Sequence, residues 1–533
     1  MDCVSGWVSS SGLAVTAATL ILASVLSTII YRLYFHPLAK YPGPFFARIS
    51  TFPSYWHTLK QDRHIWLWRL QEEYGHTFRY RPDAVLINTP TAFRSIFGPK
   101  GNVRKSDYYR VWPRTAEITS TWNVTDVPAH ARKRRVMNQA FSEKALKSAE
   151  VFIHENLDRW LDLLGEQNSS SGKSINMAHE INYLVFDILG DLCFGQSFGM
   201  IEPGSEMRFV PEVLATFLKL FHPIAFSPLA DWWVWAKPRG LDKVLSYVSP
   251  PAVTNWEKFV ASCLERRTKV EHENRALNKP ESEVRKDFFY YLFDAKDPET
   301  GSGYDLNELY GECELLIVAG SDTTSIVMSA MIFYLAKNPD VQKKLAEEIL
   351  STFTSYDEIR GGNKIHSCRY LKAFIQEACR MAPPVGADPA RQVLPGGTIV
   401  DGQYFPEGTK LSISCYCLSY SEDVFPEPST FRPERWLPEH TSPERLAIQE
   451  HGFCSFLAGS RGCVGKNLAW LEMMLVMSKL VYRYEVLQDP KDNLGGGRVD
   501  GRVGRQNPHQ YQTYDAFVAL RDGPMVHLQP RKS

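Results

Sequence analysis

One ten-residue stretch near the C-terminal end carries the most specific chemistry in this chain: Phe456-Leu-Ala-Gly459-Ser-Arg461-Gly-Cys463-Val-Gly465, followed at once by a helical pattern from Lys466 to Tyr482. Ordinary residue frequencies at its Phe, Gly, Arg, Cys and Gly positions would produce the arrangement in roughly one chain of this length in ten thousand. A cysteine at a helix start faces unpaired backbone N–H groups and the positive end of the dipole, which favour thiolate over thiol. A thiolate binds iron. Gly459 and Gly465 let the backbone turn tightly and approach a flat macrocycle closely, because they lack a Cβ. Arg461 suits the carboxylate of a haem propionate, and Phe456 shields the sulfur from water. The other nine cysteines form no CxxC pair and read as inert core thiols in a reducing compartment.

A second constellation lies within an apolar run. Asp322 and Thr323 place an acid beside an alcohol next to Gly320, where a helix can bulge or kink. Packing alone, with the hydroxyls bonded back to carbonyls, is the plain alternative. Glu377 and Arg380 are three apart on an amphipathic helix, a pair worth only about 0.2–0.5 kcal/mol in isolation. His130 and Arg134 fall one helical turn apart on a basic face that includes Arg132, Lys133 and Arg135.

These residues need a scaffold. The chain has 533 residues, 44% hydrophobic and 12% aromatic, which excludes a disordered or fibrous protein. Its 60 Lys+Arg balance 60 Asp+Glu, so a nucleic-acid partner is not expected. Helical spacing predicts helices over 131–140, 177–192, 253–274, 370–381 and 468–482, with short strands at 84–87, 410–413 and 525–528. The fold class is mainly α with small β-sheets. The longest helical pattern, Asn307–Asn338, is apolar on all sides and reads as a buried central helix. A second membrane span is the competing reading, disfavoured because Asp322 would sit near the bilayer centre at about 2.5–3.5 kcal/mol. Gln167–Lys173 and Asp297–Gly303 have the composition of surface loops.

Leu13–Ile30 is uncharged for eighteen residues, and the flanking cations Arg32, Lys40 and Arg48 place the rest of the chain in the cytosol. The expected division is a lumenal N-terminus at 1–12, one transmembrane helix as anchor at 13–31, a proline-rich hinge at 32–44 and a single body at 45–533 that carries the Cys463 loop.

FLAGSRGCVG resembles the FxxGxRxCxG signature of the cytochrome P450 family. Ala319–Thr323 is similar to the AGxDT stretch of its long helix, Glu377–Arg380 to its ExxR pair and Pro433–Trp436 to its PERF/W segment. HPLAKYPGPF and the segments from His130 and Phe186 resemble membrane-anchored fungal members. His130 stands where many members have tryptophan, and Ser460 where many have proline.

The resemblance implies haem b on Cys463, with Arg461, Arg134, His130 and Arg391 toward the propionates and Phe456, Gly459 and Gly465 shaping the loop. It implies Thr323 and Asp322 in oxygen activation and proton relay, and Glu377, Arg380 and Arg435 as a buried structural network. It further implies an endoplasmic-reticulum enzyme fed by an NADPH-dependent cytochrome P450 reductase, with cytochrome b5 as an optional second donor. Arg132, Lys133 and Lys466 are then candidate docking charges. O2 and a lipophilic small molecule, a terpenoid, alkaloid or polyketide, are the expected substrates, met by 112–122, 217–235, 384–387 and 514–517. Dehydrating, coupling or rearranging chemistry without oxygen insertion is the alternative, and a membrane-anchored haem sensor or carrier a remoter one.

Overall fold

A computed structural model describes residues 2–113, 115, 117–280 and 282–531. The chain begins with helix α1 (Asp2–Ile30), which is continuous from ahead of the expected span and extends through a π-helical turn at Tyr31–Phe35. The apolar stretch Gly12–Phe35 has no buried residues in its most apolar window. The hinge is bonded to the body rather than free. Tyr41 stacks on Phe405 at 5.4 Å, Leu38 and Tyr41 are buried, and the Arg79 N–H donates to Pro42 O at 2.7 Å.

The body is mainly helical. The helices that position the site are α2 (Val127–Ala140), α3 (Glu143–Ser171), α4 (Met177–Phe194), α5 (Val210–Phe226), α6 (Ala230–Ala236), α7 (Pro251–Ala276), α8 (Leu306–Lys337), α9 (Arg369–Met381) and α10 (Lys466–Arg483). Helix α8 starts at a capping box, with Asp305 bonded to the Glu308 N–H and Glu308 reaching back. Most of its apolar stretch, 72%, is buried inside the protein, so it is the central core helix and not a second span. Gly320 permits close packing here, since a Cβ would meet Leu189 of α4 at 2.6 Å.

A five-stranded sheet has the order β1 (Thr77–Arg81), β2 (Ala84–Ile87), β5 (Lys410–Ser412), β4 (Arg391–Val393), β3 (Val103–Lys105). Strands β2 and β5 are parallel, and the remaining pairs antiparallel. The β3–β4 register sets Lys105 directly opposite Arg391. Ile175–Asn176, Met525–Pro530 and Tyr484–Gln488 form a smaller sheet, and Thr398–Val400 pairs with Gln403–Phe405.

One loop expectation fails. Most of 167–173 belongs to α3, which runs to Ser171 because the Asn168 side chain donates to Leu528 O at 2.6 Å and accepts from the Leu528 N–H at 3.1 Å. Gly172, at φ +59°, then ends the helix.

Candidate active site

The segment 456–465 wraps one end of a cavity of about 330 Å³ enclosed by α2, α8, the start of α10 and the sheet. The Cys463 N–H donates to Phe456 O at 2.9 Å, which fixes the loop and directs the side chain into the cavity. Gly459 is required by geometry: its φ is +67°, and a Cβ would lie 2.2 Å from Phe97 O. It packs beneath the loop and does not line the cavity. Gly465 is different from expectation. At φ −81° its conformation is open to any residue, and a Cβ would meet Cys463 Sγ at an ordinary 4.0 Å.

Cys463 is exposed to the cavity and surrounded by the atoms of its walls. Burial pushes its thiol up, against the pull of the Gly465 N–H, Arg134 and Lys466. The helix start and burial thus pull in opposite directions, and a metal ion's charge would favour the thiolate. Phe456, Arg461, Arg134, His130, Arg391 and Thr323 all line the same cavity.

The basic residues converge. Arg134 donates to Gly462 O at 2.5 Å, next to the cysteine. Arg461 donates to Val124 O at 3.0 Å, and Arg391 to Pro389 O at 2.8 Å. Lys105, which sequence reasoning missed, joins them on the wall and donates to Trp122 O. Burial and the charges of Arg391, Arg461 and Arg134 hold the Lys105 ammonium well below its ordinary value, against the pull of Glu312. Burial followed by Arg461, Lys105, Arg134 and Arg391 pushes His130 down to about 2, so it is neutral. Burial and Arg391 lower Arg461 to about 10. Like charges directly opposite in a sheet repel, and Lys105 and Arg391 are such a pair. The cluster calls for anions, and the two carboxylates of a haem supply them; a thiolate ligand at the same cavity and a mainly aromatic and aliphatic wall fit the same group.

Thr323 and Asp322 part company. Thr323 faces the cavity with its hydroxyl donating to Ala319 O at 2.7 Å. Helix α8 is unbroken here, with no bulge at Gly320. Asp322 is buried off the cavity wall and pairs with Arg521, Nη1 to Oδ1 at 3.6 Å. Burial raises its carboxyl, against the pull of Arg521.

Glu377, Arg380 and Arg435 are fully buried and also off the wall. Glu377 accepts from Arg380 Nε (2.9 Å) and Nη2 (2.8 Å), Arg435 Nε (2.9 Å), Trp436 Nε1 (3.0 Å) and the Arg432 N–H (3.0 Å). Burial would raise its carboxyl, but Arg380 and Arg435 outweigh it and hold it low.

Of the substrate-facing segments, Trp112, Trp122, Phe217, Leu218, Pro384, Val385 and Phe517 line the cavity. Trp232 and Trp235 point outward and are exposed. Among the candidate docking charges, Lys133 is buried against Glu308 and Glu312 and Arg132 is paired with Glu308, whereas Lys466 is exposed.

Comparison with known proteins agrees with this geometry. A family model described as Cytochrome P450 matches residues 41–497. Cytochrome P450 monooxygenase AKT7 of Alternaria alternata is 32% identical over 528 residues, covering 96% of each chain. Cytochrome P450 monooxygenase apf7 of Gibberella fujikuroi is 32% identical over 99% of this chain and 98% of its own. Cytochrome P450 monooxygenase atnE of Emericella nidulans is 32% identical over 94% of each.

Proposed function

The chain belongs to the cytochrome P450 family, and from that premise we propose a membrane-anchored monooxygenase that hydroxylates or epoxidises a lipophilic small molecule in fungal specialised metabolism, a terpenoid, alkaloid or polyketide. The Cys463 sulfur would hold haem b, which when bound would supply redox-active iron for O2 chemistry driven by an NADPH-dependent reductase. Cytochrome b5 is an optional second donor. Lys105, Arg134, Arg391 and Arg461 would hold its carboxylates, and the aromatic wall orients the substrate and excludes water. Thr323 Oγ1, its proton directed to Ala319 O, presents acceptor lone pairs toward the cavity. Asp322, its carboxyl raised by burial against the pull of Arg521, stands on the adjoining face of the helix as the candidate proton relay.

The carrying observation is the shared cavity: the Cys463 sulfur, the four basic side chains of Lys105, Arg134, Arg391 and Arg461, and an otherwise mainly apolar wall. We place the body on the cytosolic face of the endoplasmic reticulum, with α1 spanning the bilayer.

Two substitutions test the reading. The reduced wild-type protein under carbon monoxide gives the red-shifted Soret band of thiolate ligation, and Cys463→Ala abolishes it. Thr323→Ala keeps the band but diverts NADPH electrons into peroxide. With 18O2, reductase and NADPH, one labelled oxygen enters each product; unlabelled rearranged product would mean the chemistry lacks oxygen insertion.

A further inference from the structure

A second cavity, of about 390 Å³, lies apart from the first and shares no lining residue with it. This is within the range of about 300–1,000 Å³ usual for ligand sites. It opens where the membrane helix meets the body: Arg32, just past the end of α1, forms part of its wall, with Arg81 from the edge strand β1 and Lys410 from the central strand β5. The acids on its wall are Asp83, Asp107, Asp231 and Asp388. Asp388 is engaged by Arg63 and Tyr80, Asp83 by Lys410 at 2.7 Å and Arg81 at 3.7 Å, and Asp107 at the rim by Arg104 at 3.3 Å and Arg110 at 3.6 Å. Ser106 is 1% exposed, lines this cavity and has no partner for its Oγ among the described residues; Arg81 Nε, buried, makes no hydrogen bond among them and meets only the Asp83 carboxylate, at 3.7 Å. Tyr108, bonded to His222 at 2.8 Å and stacked on Phe517 at 5.6 Å, separates it from the first cavity.

We propose that this cavity binds the headgroup of one zwitterionic phospholipid. A phosphodiester with an ammonium arm matches a wall of both signs: Arg32, Arg81, Lys410 and the Ser106 hydroxyl take the phosphate, while Asp107 and Asp231 face the ammonium. The membrane source is set by the surroundings. The exposed apolar side chains Phe45, Phe46, Phe52, Leu229, Trp232 and Trp235 belong to the elements beside its mouth. This site rests on the membrane placement proposed above, not on the haem chemistry.

The test uses the full-length, haem-loaded protein in a sugar-headgroup detergent. Dihexanoylphosphatidylcholine is titrated below its micelle concentration and retention read by native mass spectrometry, with the carbon monoxide band recorded on each sample. One lipid per chain is retained. Lys410→Gln and Ser106→Val each weaken it by at least about fivefold, as does exchange for dihexanoylphosphatidylglycerol. A variant that does not load haem is replaced by Asp107→Asn, read in the same way. Equal retention by wild type and variants, equal retention of the anionic lipid, binding of free phosphocholine as tight as the lipid, or no retention by protein showing the band would each overturn the site. An intact band beside lost lipid leaves the catalytic reading standing, and a wild-type protein that floats with vesicles yet keeps no lipid overturns the site alone.

Discussion

Lys105 and Arg391 face one another across two antiparallel strands, both buried, with Arg461 and Arg134 near enough to lower the ammonium further. Such an arrangement is unfavourable without a counter-anion. Lys105→Met therefore speeds loss of haem to an apoglobin scavenger by about tenfold; an unchanged rate would detach Lys105 from the propionates. Glu472 on α10 makes the opposite case, an acid on the cavity wall pushed up to about 8 by burial. Its folded value exceeds its unfolded value near 4.5, so its contribution to stability is fully present below that pH and is lost as pH rises through about 8. Glu472→Gln removes this dependence. Its unfolding free energy equals that of wild type near pH 4 and exceeds it increasingly toward pH 8, by about 3 kcal/mol at pH 7. Parallel curves for the two proteins would show that Glu472 is not titrating in that range.

Between elements, the Glu377 carboxylate ties α9 to the segment carrying Arg432, Arg435 and Trp436, while Arg380 reaches Ser419 O at 2.7 Å and Pro428 O at 2.8 Å. Removing the charge but keeping the shape, as in Glu377→Gln, leaves two buried guanidiniums with no carboxylate and costs about 3–5 kcal/mol. The expected result is a collapse in the yield of protein showing the carbon monoxide band, without change in the band position of what survives. Much of this was legible in the sequence, because Cys463, Arg461 and Gly459 are local, and the central helix announces itself by an unbroken apolar pattern. What was not legible depends on register and reach. Lys105 acquires its role only when β3 pairs with β4, the Trp436 indole only when it meets Glu377, and Asn168 looked like loop until Leu528 closed on it. Asp322 and Thr323, adjacent in sequence, were read as one unit, but consecutive helix positions differ by about 100° of rotation and so face different surroundings.

At the scale of the whole molecule, an uncovered apolar helix leads into a body whose exposed Trp232 and Trp235 stand on α6, beside α5 and the segment Phe52–Leu59. We expect a protein lacking residues 2–30 to float with phosphatidylcholine vesicles, and the double variant Trp232→Ser, Trp235→Ser to weaken that association by about tenfold or more. Flotation unaffected by the two changes would assign the contact to another face.

The stacking of Tyr41 on Phe405 and the Arg79 to Pro42 hydrogen bond give the tether a fixed root. With Gly12–Phe35 placed in the bilayer as proposed, a body held this way does not swivel like a buoy on a chain; it keeps one bearing toward the bilayer. Encounter with a membrane-dissolved molecule then becomes a search in two dimensions with the same side always presented, and exchanging the anchor for an unrelated one upstream of Leu38 leaves that bearing unchanged.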